Sequence, residues 1–294
     1  MRKVFFSVAL ILLLCSCGKP PSDNGFSVFV SIAPQKHFVE RIAGDLVAVT
    51  VMVPTGSDPH TYEPRPAQMA ALHNASVYFS IGVPFEDHWL ERIVATNPDI
   101  LVVDTARGIR RVVRDHCHDH SHLHEHQHEH HGAPDPHIWL SPSLVRIQAE
   151  NISLALQEMD PANAETYRHN LGLFIAEIEA LSQYIRETLE EMPSRKIMVF
   201  HPSWGYFADE FQLEMISVEQ GGQEPGPADL AGFIALAEEE DIRVVFAQPE
   251  FSTDAAEVIA REIGGTVVLL SPLAEDWTAN MRTIAETLAG VSGE

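Results

Sequence analysis

Cysteine is scarce: three in 294 residues, with Cys15 and Cys17 close to the N-terminus and only Cys117 in the body of the chain. With Cys15 removed and Cys17 lipidated, as the N-terminal pattern described below suggests, only Cys117 would remain and no intrachain disulfide could form, so stability has to come from packing. Basic residues are scarce too. Lys plus Arg number 19 against 42 Asp plus Glu, a formal charge of -23, which excludes a direct nucleic-acid binder because such a protein must neutralise phosphates. A membrane-spanning helix needs roughly 20 apolar residues, and the apolar run Val4 to Leu14, broken only by Ser7, is too short. The His-Glu-x-x-His pattern of zinc hydrolases is missing as well. Apolar residues still make up 45% of the chain, enough to exclude wholesale disorder, and the length suits about two domains.

Histidine, in contrast, is abundant. There are 16, and nine fall between His116 and His131, so a metal is the first hypothesis.

Arg2 and Lys3 precede the short apolar run in the manner of a secretory signal. The run ends in Leu14-Cys15-Ser16-Cys17, which resembles a bacterial lipobox. Residues 1–16 are therefore expected to be a signal peptide and Cys17 the acylated first residue of the mature protein, with an ordinary cleaved signal or a signal anchor as the simpler alternatives. Residues 17–25, polar and rich in Pro, Gly and Ser, suit a tether. The expected location is the periplasm or outer cell surface, anchored by lipid.

Short β-rich runs alternate with longer helical patterns, as in parallel βαβ units. Candidate strands are Ser27 to Ile32, Val47 to Val53, Val77 to Ile81 and Ile100 to Val103, then Lys196 to Phe200, Glu214 to Val218, Val244 to Ala247 and Thr266 to Leu270. The predicted fold is α/β with two lobes, each a four-stranded mainly parallel sheet flanked by helices. The first lobe is expected over 26–159 and the second over 193–294. Between them, over 160–192, Asp160 and Pro161 open a helix whose apolar residues Leu171, Phe174, Ile178, Leu181, Ile185 and Leu189 recur every three or four positions. At 1.5 Å per residue such a helix runs roughly 45 Å, enough to act as a rigid strut.

Three histidines sit in Pro-containing loops between these elements. His60 lies in Gly56-Ser57-Asp58-Pro59-His60-Thr61-Tyr62-Glu63-Pro64, His137 in Asp135-Pro136-His137-Ile138-Trp139, and His201 in Phe200-His201-Pro202-Ser203-Trp204. His60 and His201 follow candidate strands, where open parallel sheets place ligands. His37, His73, His88 and His169 fall in helical patterns without a convergent partner and read as structural. The residues around Trp139 and Trp204 are expected to wall a cleft or to fill the core.

These motifs, their order, the central helix and the position of the His-rich insert resemble the zinc and manganese solute-binding proteins of ABC importers, the cluster A family, in its zinc-uptake branch. The resemblance implies two lobes joined by a rigid helix, with one divalent metal held between them by His60 and His137 of the first lobe and His201 of the second. Imidazole where the manganese branch commonly has a carboxylate points to Zn2+ over Mn2+. A last-loop aspartate common in the family corresponds here to Ser271, which leaves the fourth ligand open among water, Glu63 and Asp276. The implied partner is an ABC permease and the implied state a monomer; no chemical step is expected. The stretch from Glu219 to Pro225 also resembles a family loop near the cleft, although by itself it reads as a turn.

The run from His116 to His131 has almost no apolar content and cannot join a core. It reads as a mobile loop whose His116, His118, His120, His122, His124, His126, His128, His130 and His131 collect zinc weakly; Cys117 is either one more weak ligand or an incidental thiol. Other readings are a manganese-binding importer component, a zinc store or adhesin using the His-rich loop, and a hydrolytic zinc enzyme, since three histidines with an open position also activate water.

Overall fold

A computed structural model describes residues 26–113, 134–219, 223 and 225–291. The predicted signal peptide, Cys17, the tether and the whole His116 to His131 segment lie outside the described residues.

The first lobe contains β1 (Ser27–Ile32), α1 (Ala33–Ala43), β2 (Ala48–Val53), α2 (Pro66–Leu72), β3 (Val77–Ser80), α3 (Pro84–Thr96), β4 (Leu101–Asp104) and α4 (Pro142–Met159). The long helix α5 (Ala164–Glu190) follows. The second lobe contains β5 (Lys196–Val199), α6 (Gly205–Phe211), β6 (Glu214–Ser217), α7 (Pro227–Glu239), β7 (Val244–Ala247), α8 (Asp254–Glu262), β8 (Thr266–Leu269) and α9 (Trp277–Val291). Both sheets are parallel throughout, in the orders β2-β1-β3-β4 and β6-β5-β7-β8. The inner strands β1, β3, β5 and β7 are Val, Ile, Phe and Met-rich and buried along nearly their whole length, as strands covered on both faces must be. Proline in the first turn opens α1, α2, α3, α4 and α7, where its missing N–H and fixed φ do no harm.

In each sheet the strand order reverses between two central strands, and the crevice at the carboxyl ends there is the natural ligand position. In the first lobe two buried polar side chains hold that crevice. Gln35 accepts from the Ser31 N–H (3.0 Å) and donates to the Phe79 carbonyl (3.1 Å), bridging β1 and β3. Glu86 accepts from the Ser31 hydroxyl and from the backbone N–H groups of Ile81 (2.8 Å) and Gly82 (2.7 Å). Burial raises the Glu86 pKa, opposed by those donors and by Arg111. Arg111 in turn donates to the carbonyls of Ile81 and Gly82. Its guanidinium occupies the space a Cβ at position 82 would need, and Gly82 has φ +79°, so both sterics and backbone demand glycine there.

The linking helix begins later than the sequence suggests. Residues Pro161–Asn163 form a 3-10 turn and the α-helix proper starts at Ala164. The Asp160 carboxylate is taken up by side chains, accepting from Asn163 Nδ2 and Tyr167 Oη, both at 2.7 Å. Phe174, Ile178, Leu181, Ile185 and Leu189 are buried as their spacing requires, while Leu171 is half-buried. The helix packs against α4, α1 and α9. One buried apolar cluster runs without a break from Val28 and Phe79 through Phe174 to Phe207 and Trp277, so both lobes share it. Two indoles close the joint: Trp139 Nε1 donates to the Pro272 carbonyl (2.8 Å), and Trp277 Nε1 donates to the Trp139 carbonyl (2.7 Å).

Candidate metal centre

His60 sits in the loop after β2, on a turn organised by Asp58. The Asp58 carboxylate accepts from the His60 N–H (2.8 Å) and the Thr61 hydroxyl (2.9 Å). Gln68 ties the far end of the loop by accepting from Tyr62 Oη (2.7 Å) and donating to the Met52 carbonyl (2.7 Å). The Pro59 carbonyl accepts from the Phe85 N–H (3.0 Å), which fixes the loop to the start of α3.

His137 precedes a short 3-10 turn, Ile138–Leu140, that leads into α4. Its Nδ1 stands 2.7 Å from Asp135 Oδ1, which also accepts from the His137 backbone N–H (3.0 Å). With Nδ1–H donated to the carboxylate, Nε2 keeps its lone pair and accepts from the Ser203 hydroxyl (3.2 Å), which itself accepts from Gln248 Nε2 (2.6 Å). A tyrosine of the second lobe braces this segment: Tyr206 Oη accepts from the Val112 N–H (3.0 Å) and donates to the Asp135 carbonyl (3.1 Å).

His201 follows β5, and its Nδ1 lies 2.8 Å from Glu219 Oε2. The strand register explains the pair. Val199 is opposite Ser217, the Glu219 N–H donates to the Phe200 carbonyl (2.9 Å), and two residues beyond the strand ends His201 and Glu219 meet. His201 Nε2 is buried with no hydrogen-bond partner among the described residues. Phe251 lies over the ring, centroids 4.6 Å apart.

The three imidazoles meet between the lobes. Their ring centroids are 5.2 to 5.9 Å apart, and one nitrogen of each lies within 4.8 Å of the others, the one group of three potential metal-holding side chains among the described residues. The cleft around them is lined by Pro59, Val83, Pro136 and Trp139 from the first lobe and by Ser203, Gln248, Glu250, Phe251, Pro272 and Leu273 from the second. Burial, reinforced by the neighbouring His137 and His201, lowers the His60 pKa from 6.5 to about 4. That ring is therefore neutral at physiological pH, the form in which imidazole binds a metal.

Other expected residues lie elsewhere. Glu63 is exposed. Asp276 is at the surface, accepting from the Ala279 N–H at the start of α9 (3.0 Å). Neither lines the cleft, and Ser271 donates to Glu250 Oε1 (2.8 Å) behind its wall. Trp204 is a core residue, whereas Trp139 does face the cleft. His37, His73, His88 and His169 are not part of the triad. Sequence reasoning missed Asp135 and Ser203, two residues from a named histidine in its own loop, and Gln248 and Glu250, which follow β7. Glu219 lies in the stretch that resembles a family loop near the cleft, but nothing in the sequence pairs it with His201.

Comparison with known proteins agrees with this architecture. The family described as ZnuA, zinc-uptake complex component A, periplasmic, matches residues 28–291. The high-affinity zinc uptake system protein ZnuA of Bacillus subtilis (strain 168) is 29% identical over 282 residues, covering 92% of this chain and 88% of that protein. The manganese-binding lipoprotein MntA of Halalkalibacterium halodurans is 27% identical over 276 residues, covering 90% and 87%. A solved structure of a ZnuA deletion mutant with zinc bound is similar at 44% identity and a TM-score of 0.82, covering 92% of this chain and 98% of that one. Members of the family bind metal for transport and are not enzymes. The chain belongs to the ZnuA family, the periplasmic metal-binding solute-binding proteins of ABC importers.

Proposed function

We propose that this chain is a high-affinity Zn2+-binding lipoprotein that delivers its ion to an ABC permease, with His60, His137 and His201 as protein ligands. The observation that carries the reading is the convergence of three imidazoles from three loops, two of them backed by carboxylates. Such backing fixes the tautomer that points Nε2 at a metal and makes the ring more basic. Relatives are named for both zinc and manganese, so the metal is argued from the donors: three nitrogens and no carboxylate in the triad suit zinc, whereas manganese favours oxygen. In a tetrahedral zinc site with Zn–N near 2.05 Å the nitrogens stand about 3.4 Å apart, against mutual separations of no more than 4.8 Å in this triad.

Cys17 would carry the lipid that keeps a monomeric protein at the membrane beside its permease, on the periplasmic or outer face. The His116 to His131 segment would supply weak capture sites that raise the zinc concentration near the cleft. Manganese delivery and zinc storage are the alternatives that titration separates. Competition titration of the full mature chain with Zn2+ and Mn2+ should find one tight zinc-selective site and several weak ones. Replacing His60, His137 and His201 together by alanine should abolish the tight site and leave the weak ones. Tight binding of manganese in preference to zinc, or only weak sites, would refute the assignment.

A further inference from the structure

Among the residues lining the cleft, Glu250 is the one carboxylate. It follows β7 in the segment Gln248-Pro249-Glu250-Phe251, at the carboxyl edge of the second sheet. Its two oxygens are treated differently. Oε1 accepts from the Ser271 hydroxyl at 2.8 Å. Oε2 is buried and has no hydrogen-bond partner among the described residues, a condition it shares in this cleft with His201 Nε2. A buried carboxylate oxygen left unpaired is costly, so an oxygen held in that state in the cleft that gathers the three imidazoles implies a donor or cation that arrives with the cargo.

Glu250 stands outside the group of three nitrogens that lie within 4.8 Å of one another. We propose that Glu250 Oε2 holds the fourth position of the transported ion through a water molecule bound to it, and that Ser271, whose Oγ also accepts from the Leu273 N–H (3.2 Å), aims Glu250. Three imidazoles leave one tetrahedral position open. A water there is polarised by the metal and donates strongly, and a carboxylate acceptor makes that hydrogen bond charge-assisted. The carboxylate also offsets the ion's charge, as the one acidic group lining the cleft. Asp135 and Glu219 act differently, from behind the rings, through Nδ1. The inference rests on the zinc-binding reading of the same cleft and adds the group that governs retention and release.

The test uses the full mature chain, Zn2+ as the probe, and competition against a chelator, with zinc release followed by stopped flow and metal-free melting recorded for every variant. Glu250→Gln keeps shape and removes the charge. It should lower zinc affinity about 10–100-fold, the usual effect of losing an outer partner, and speed release, while metal-free melting stays unchanged. Ser271→Ala should give a smaller loss in the same direction, and the double variant should be no weaker than Glu250→Gln alone, because Ser271 acts through Glu250. Wild-type affinity in Glu250→Gln, or losses that add in the double variant, would overturn the proposal. Should Glu250→Gln fail to fold, Ser271→Ala decides: affinity equal to wild type overturns it. A wild-type chain lacking a tight zinc site would sink the functional reading as well, whereas a tight wild-type site indifferent to position 250 sinks only the role of Glu250.

Discussion

At the scale of single residues, the centre depends on protons being held in the right places. Asp135 and Glu219 each take the Nδ1–H of a cleft histidine. Replacing either with the matching amide substitutes a neutral, two-faced partner for the carboxylate, so Asp135→Asn and Glu219→Gln should each weaken zinc binding about 10–100-fold. Competition titration beside a metal-free melting curve will separate this from misfolding. His60 adds a pH dependence. Burial holds its pKa at about 4 in the folded protein against the ordinary 6.5 of a free imidazole, so between those values the unfolded chain binds more protons and stability falls as pH drops. The contribution of this group is complete above pH 6.5 and lost by about pH 4. Metal-free protein should therefore unfold at lower denaturant concentration at pH 5 than at pH 7, and His60→Asn should flatten that difference. Asp135 lies two residues before His137 and was open to inspection in the sequence. Glu219 could be paired with His201 only once the register of β5 and β6 was known, because 18 positions separate them and no local periodicity links them.

At the scale of elements, the loops that carry the histidines are held by neighbours the metal never touches. The turn from β3 into α3 is the clearest case: Glu86 accepts the Ile81 and Gly82 N–H groups from one side, while Arg111 binds their carbonyls from the other. Val83 of the same turn lines the cleft, and Phe85 anchors the His60 loop through Pro59. Glu86→Ala removes the shared acceptor of three donors, the Ser31 hydroxyl and the Ile81 and Gly82 N–H groups, and should destabilise the fold by about 1–3 kcal/mol for each one left unpaired, read by urea denaturation. Gly82→Ala forces a side chain into the Arg111 guanidinium at a positive φ, so it should destabilise through both routes and perturb zinc affinity as well. The strands themselves were legible, since Ser27–Ile32 and Val244–Ala247 coincide with their apolar runs and the others differ by a residue at one end, or at both ends in β4. The start of α5 was not, because Asp160 is a good capping residue whose carboxylate was claimed by Asn163 and Tyr167.

At the scale of the whole molecule, the two lobes are one packed body. The shared apolar cluster and the paired hydrogen bonds of Trp139 and Trp277 cross the joint, and α9, at the end of the second lobe, packs against α5. Unfolding should therefore be a single cooperative transition, with calorimetric and van't Hoff enthalpies in agreement. Trp277→Phe, which leaves the buried Trp139 carbonyl without its donor, should lower stability by about 1–3 kcal/mol without splitting that transition.

The two four-strand sets, the long helix between them and the three loops whose histidines meet were already written in the local order of residues, because strand and helix periodicities are local and a parallel sheet places its loops at one edge. Which groups stand beside those histidines emerged only from the folded arrangement. Glu63 and Asp276 are near the motifs in the chain yet outside the cleft, while Glu250 reaches its wall from 49 positions beyond His201. Which side chains share a cleft depends on strand order, register and the docking of one lobe on the other, and these are fixed by contacts between residues far apart in the chain, which leave no periodic trace in the sequence.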